Sequence, residues 1–372
     1  MRVRALSSTL ATAVLTMGLT AAASPAHAAR PGPFLDRLNT VSTVGSTVAG
    51  NGDVNPYGVF TIRESTGDLR RGNVLVSNFN DAANLQGLGT TLVQITPDGA
   101  TTTFATIDPA HLPGPCPGGV GLTTALTVLP GGWVVVGSLP TADGTSATAQ
   151  AGCLLVLDKH GTVRETIAGD GINGPWDLTA VSAGERSELF VTNVLNGTVA
   201  GGGAEVDQGT VLRITLCTEG DQPPRRLATT EIGSGFPERT DPAALVVGPT
   251  GVGLGRDGTL FVADTALSRI TAIPNALNRR DSAGIGRVVS SGGGLNGPLG
   301  LALAPGGDIL TVNGGDGNIV ETTPAGRQVA VKRINNEGTP PGAGALFGLA
   351  VDPDGDAVHF VNDADNALDV LH

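Results

Sequence analysis

Aromatic residues are scarce, only 3% of the chain. Polysaccharide-binding surfaces are usually built on exposed aromatic platforms, and Tyr57, Trp133 and Trp176 offer little for that use. Positive charge is also short. Lys+Arg number 22 against Asp+Glu 34, a formal net charge of -12. Nucleic acid is bound through Lys and Arg on its phosphates, and anionic membrane surfaces attract the same side chains. Neither partner fits. Recognisable hydrolase motifs are missing as well: there is no G-x-S-x-G elbow and no H-E-x-x-H. His111, His160, His359 and His372 are scattered rather than grouped.

Long apolar runs are absent after the first thirty or so residues, so no later segment is expected to span a membrane. The one such run, Ala5 to Ala23, follows Arg2 and Arg4 and precedes Ala26-His27-Ala28. A basic start, an apolar stretch and a small-residue cleavage site describe a secretory signal peptide over residues 1–28. The expected mature protein starts near Ala29 and is exported. Without Arg2 and Arg4 it is more acidic still.

Gly 56 and Pro 24 fit a fold of short strands and turns. Leu295 to Ile334 shows the unit. Strands are expected at Gly300 to Ala304, Asp308 to Val312, Asn318 to Thr323 and Gln328 to Ile334, with Pro305-Gly306-Gly307 as the first hairpin turn. Four antiparallel strands followed by a fresh start make one β-propeller blade. The unit recurs, with blades at about 55–107, 117–168, 172–235, 248–293, 295–334 and 343–372. The expected fold is all-β, a six-bladed β-propeller in a single domain over 29–372. The last copy ends after a third strand. A spare strand at 41–48 is expected to complete that blade and close the ring, which removes two open sheet edges.

The face carrying the loops into the first strands is called the top. Cys116 lies in such a loop and Cys153 starts a third strand, also at the top. Cys217 ends a third strand at the bottom. Export makes a disulfide reasonable, and this topology selects Cys116–Cys153, with Cys217 unpaired.

Leu260-Phe261-Val262-Ala263-Asp264-Thr265-Ala266-Leu267-Ser268-Arg269-Ile270 resembles the NHL repeat: an apolar strand, an Asp, a short turn, then a small polar residue, Arg and Ile. The stretches Asn296-Gly297-Pro298-Leu299-Gly300-Leu301-Ala302 and Leu346-Phe347-Gly348-Leu349-Ala350-Val351 resemble the strand before it. The similarity extends to SMP-30/gluconolactonase-like propellers. It implies six blades, and it implies no single activity, because such propellers host lyases, lactonases and binding scaffolds.

The second strands end in Asn78, Ser138, Asn193, Asp264, Asn313 and Asn362, all expected near the top mouth of the channel. Converging oxygens suit a hard cation such as Ca²⁺. The resemblance implies a metal held there, and Asn78, Asn193, Asp264 and Asn313 match in kind. The family's first-strand Glu has no counterpart, since the first copy opens with Asn55-Pro56-Tyr57-Gly58. The competing reading is turn chemistry, because Asn and Asp at strand ends bond the backbone two residues on. Tyr57, Trp176 and Asn362 are the candidate ligand contacts at this mouth. In a lactonase-type hydrolase, Asp177 would serve as base.

The loops after the second strand are long in the first three copies, Phe79 to Gly89, Leu139 to Gly152 and Val194 to Gly209. They would form half a lid over a pocket. The preferred function is an exported propeller that binds a small molecule or a protein partner at its top face, as a monomer. A Ca²⁺-dependent lactone or ester hydrolase and an extracellular interaction scaffold are the alternatives.

Overall fold

The computed structural model describes Met1 and residues 32–372 except position 243. The signal-peptide expectation lies outside the described residues. The chain divides into a short unit, Met1–Gly32, and the main unit, Pro33–His372, which carries the fold.

Six sheets succeed one another along the main unit. After β1 (Val41–Ser46), blade 1 holds β2 (Val54–Thr61), β3 (Val74–Asn80), β4 (Thr91–Ile95) and β5 (Thr101–Thr106). Blade 2 holds β6 (Leu122–Leu129), β7 (Trp133–Ser138), β8 (Cys153–Leu157) and β9 (Val163–Ile167). Blade 3 holds β10 (Pro175–Ala183), β11 (Arg186–Asn193), β12 (Val206–Cys217), β13 (Arg225–Asp241) and β14 (Leu245–Val247). Blade 4 holds β15 (Pro249–Leu254), β16 (Leu260–Asp264), β17 (Arg269–Ile273) and β18 (Arg287–Ser291). Blade 5 holds β19 (Pro298–Leu303), β20 (Ile309–Asn313), β21 (Asn318–Thr322) and β22 (Gln328–Arg333). Blade 6 holds β23 (Leu346–Val351), β24 (Val358–Asn362) and β25 (Ala367–Leu371). Its fourth strand is β1, paired antiparallel with β25 from Val41 opposite Leu371 to Ser46 opposite Ala367. The ring closes as the sequence pattern implies.

Blade 3 departs from the four-strand pattern. Its outer hairpin is long, and β14 folds back on β13 through Arg239 opposite Val247. A second tie fixes the start of the main unit. The backbone N–H groups of Phe34 and Leu35 each donate to the Glu321 carboxylate on β21 at 2.8 Å, and Lys332 Nζ donates to Leu35 O at 2.9 Å.

The core lies mainly in the seams between blades. Leu75, Leu92 and Ile62 of blade 1 meet Val134, Leu155 and Leu126 of blade 2, and each later seam repeats this with Leu, Val, Ile and Phe. Each such side chain contributes roughly 2 kcal/mol on burial. First strands approach one another closely around the axis. A Cβ on Gly300 would lie 2.2 Å from Phe347 O, and one on Gly348 would lie 2.2 Å from Tyr57 O, so only glycine fits. Hydroxyls latch neighbouring blades. Ser77 Oγ accepts from Gly58 N and donates to Thr123 O, and Thr192 Oγ1 accepts from Asp177 N and donates to Thr250 O.

Cys116 and Cys153 form a disulfide, S–S 2.09 Å. Cys217, half-buried at the end of β12, is a free thiol.

Candidate functional site

Each first strand begins at the top and slips against its second strand just after its start. The register shifts between Pro56 and Val59, Leu122 and Leu126, Pro175 and Leu178, Pro249 and Val252, Pro298 and Leu301, and Leu346 and Leu349. A slip of this kind kinks the strand and re-aims its side chains. The residues in it are Tyr57-Gly58, Thr123-Thr124-Ala125, Trp176-Asp177, Thr250-Gly251, Leu299-Gly300 and Phe347-Gly348.

The aromatic members meet across the axis. Tyr57 stacks on Phe347 at 4.1 Å, on Phe79 at 4.4 Å and on Trp176 at 5.2 Å between ring centroids. Tyr57 belongs to blade 1 and Trp176 to blade 3, which are not neighbours, so their contact spans the channel. All four rings are buried. Leu139, Ala149, Val194, Leu195 and the Ala244–Val247 stretch pack on the same cluster. The first two long top loops are joined, Thr141 Oγ1 donating to Gln86 O at 2.6 Å, and Gln86 Nε2 donates to Pro242 O, between β13 and β14, at 2.9 Å. The expected half-lid exists, and an apolar core lies under it. Tyr57 and Trp176 are part of that core.

The strand-end Asn and Asp residues are engaged locally. Asn78 Nδ2 donates to Thr47 O and Thr91 Oγ1. Asn193 Oδ1 accepts from Asn173 N. Asn313 Nδ2 donates to Gly294 O and to Asp316. Asn362 Nδ2 donates to Asp365 and Asp369. Asp264 accepts from Arg269 Nε at 2.6 Å, although burial still lifts its carboxyl to about 6. The partners of Asn78, Asn193, Asp264 and Asn313 are thus neighbours in their own surroundings, and none of the four bonds another. Unpartnered oxygens remain on Asn78, Asp264 and Asn313. The set nevertheless suits Ca²⁺ poorly, because its one carboxylate is already neutralised by Arg269. Among the described residues no three His, Cys, Asp or Glu side chains are placed to hold a metal ion.

Below the aromatic stack the channel opens. A cavity of about 1000 Å³ runs between the first strands to the bottom face. Its wall goes from buried (Val59, Leu178, Leu301) to exposed (Arg63, Glu64, Ser182) along the strand direction. Every polar side chain in the wall comes from blades 1–3, with Thr61, Thr124, Thr127, Asp177 and Thr179 in the interior. Blades 4–6 contribute only apolar residues and glycine, among them Val252, Leu254, Leu301, Leu303, Leu349 and Val351.

Asp177 is the one acidic side chain of the inner wall. It occupies the slip position that is glycine in blades 1, 4, 5 and 6. One carboxyl oxygen accepts from Leu178 N at 2.8 Å and the other from Val252 N at 3.1 Å, joining blade 3 to blade 4. Burial pushes its carboxyl up to about 8, against those two backbone donors.

Several solved structures are similar. A gluconolactonase from Xanthomonas campestris matches with a TM-score of 0.54 at 14% identity, covering 90% of each chain. A virginiamycin B lyase from Staphylococcus aureus matches with 0.53 at 16%, covering 89% of this chain and 98% of that one. A calcium-binding regucalcin from Agrobacterium tumefaciens matches with 0.52 at 13%, covering 88% and 93%. The shared feature is the six-bladed ring. At these identities the likeness shows the fold alone. No family model matches the chain, and no curated protein matches it.

The two functional features that sequence reasoning missed are the open bottom end and the split polarity of the wall. The second leaves a trace, because Thr recurs in the first strands of blades 1–3 and not in those of blades 5 and 6.

Proposed function

We propose that this chain is an exported propeller that binds a small molecule in its central channel, entered from the bottom face. The observation that carries the reading is the cavity of about 1000 Å³ that ends beneath the aromatic stack. Small-molecule pockets are usually concave and combine apolar lining with a small number of placed polar groups. The Cys116–Cys153 disulfide supports an oxidising compartment, and hence export. Calcium has no part in this reading. One carboxyl oxygen of Asp264 is taken by Arg269, and the first-strand starts that could add ligands at the mouth include Tyr57, Trp176 and Phe347.

A hydrolytic reading of the same channel is favoured by one residue. A carboxyl held to about 8 is protonated at neutral pH, so Asp177 would act there as an acid rather than as a base.

The test is a small-molecule screen by melting temperature on wild type and on Ala302→Trp, which puts a bulky ring at a half-buried position of the channel wall. A molecule that binds only the folded state raises its melting temperature. Hits should vanish in Ala302→Trp. Hits that survive the substitution place the site elsewhere.

A further inference from the structure

The channel wall has two chemistries, and they are not mixed. On one side stand Thr61, Thr124, Thr127 and Asp177, all more than nine-tenths buried, with Thr179 half-buried beside them. Among the described residues, the hydroxyls of Thr61 and Thr124 have no hydrogen-bond partner and are themselves sealed from the open channel, so a ligand oxygen reaches them only after the side chain turns its hydroxyl toward it. Unsatisfied buried groups are uncommon in folded proteins and call for a specific explanation, an unseen water or ligand among them. On the other side, blades 4–6 offer no polar side chain. From Asp177 to Ser182 at the rim the strand rises roughly 17 Å, so the space is long relative to its volume.

We infer that the channel takes an elongated, uncharged hydrophobe with hydrogen-bonding oxygens along one edge, that edge lying on blades 1–3 and its bare edge on blades 4–6. This rests on the channel being the binding site. Threonine hydroxyls both donate and accept, so they match hydroxyl, carbonyl or ether oxygens without a net charge. A charged ligand is disfavoured. Among the described residues the only basic side chain in the wall is Arg63, exposed at the rim beside Glu64, and a charge carried inward loses its hydration without a counter-ion. Burial holds Asp177 neutral near pH 7, which makes it a hydrogen-bond donor to a ligand oxygen rather than a partner for an ammonium group. The bare edge is matched by Leu301, Leu303, Leu349 and Val351, where hydrocarbon leaves water.

The experiment uses four fluorescent probes of one shape: pyrene, pyrenemethanol, pyrenemethylamine and pyrenecarboxylate. Affinities are measured by fluorescence titration on wild type, on Thr127→Val with Thr179→Val, and on Ala302→Trp. The expected result is pyrenemethanol binding about tenfold tighter than pyrene, with both charged probes weaker than pyrene. The threonine replacements keep side-chain shape, so they should bring pyrenemethanol to the level of pyrene while pyrene itself is unaffected. Equal binding of pyrene and pyrenemethanol to wild type, lost in Ala302→Trp, overturns the ligand class and leaves the channel as the site. Tighter binding of either charged probe also overturns the class. Binding that Ala302→Trp does not reduce, or no binding of any probe, overturns the channel reading and the inference with it.

Discussion

The substitution Asp177→Asn isolates the buried carboxyl at the closed end of the channel. Its group is held at about 8 in the native state, against 3.8 for an ordinary aspartate. The sign follows from proton counts. Below the ordinary value both native and unfolded chains hold the proton. Between the two values the native chain keeps it and the unfolded chain has lost it, so stability falls as pH rises. The stabilising contribution is therefore complete in acid and is gone above about pH 8. Over the whole window the difference corresponds to at most about 5–6 kcal/mol. Between about pH 5 and about pH 7.5 it amounts to roughly 3 kcal/mol, at about 1.4 kcal/mol for each pH unit. Asn has nearly the same shape and does not titrate. It keeps one acceptor for Leu178 N or Val252 N and places an amide group against the other donor. The variant should be less stable than wild type near pH 5 and should catch up as the pH rises. Urea unfolding of both proteins at several pH values measures this directly, because contributions from other groups cancel in the difference. Parallel stability profiles for the two proteins across that range would refute the reasoning.

In the Asp264–Arg269 pair the acid is buried and the arginine part-exposed, so Arg269→Ala should cost up to about 3 kcal/mol by leaving the acid unpaired, read as a lower urea midpoint. Millimolar Ca²⁺ or EDTA should leave the melting temperature of wild type unchanged, and a Ca²⁺-dependent rise would show that the strand-end ring holds an ion. Gly348→Ala drives a methyl into Tyr57 O of the next blade and should cost roughly 2 kcal/mol or more, whereas Gly306→Ala, which has open space around it, should be nearly neutral. Removing the disulfide by Cys116→Ser with Cys153→Ser releases a crosslink spanning 37 positions and should cost up to about 4 kcal/mol. Peptide mass mapping should find Cys217 unbridged.

Much of the architecture is legible residue by residue. Turns such as Pro305-Gly306-Gly307 and Arg256-Asp257-Gly258 sit at hairpin positions, and the short strands around them repeat, so local chemistry exposes the blade. The closing strand is legible as a β pattern at 41–48 that precedes the first copy, and the disulfide from which face Cys116 and Cys153 occupy. β14 is not legible, because Leu245-Val246-Val247 is too short to distinguish from a loop without its partner Arg239 to Asp241. The strand-end Asn and Asp residues can be read as a ring, but their hydrogen-bonding partners cannot. Thr47, Thr91, Asn173 and Gly294 are brought to them by chain folding at separations of 13 to 31 positions.

The sequence by itself determined the repeating unit, the number of blades, the closure of the ring and the residue types at each first-strand start. Those are properties of neighbours along the chain, and a period reveals them. Only the tertiary structure decided which end of the channel is open. That depends on Tyr57, Trp176 and Phe347 from blades 1, 3 and 6 meeting on a common axis, and on Asp177 reaching Val252 in the next blade. Such contacts form between residues far apart in sequence, so no local pattern encodes them.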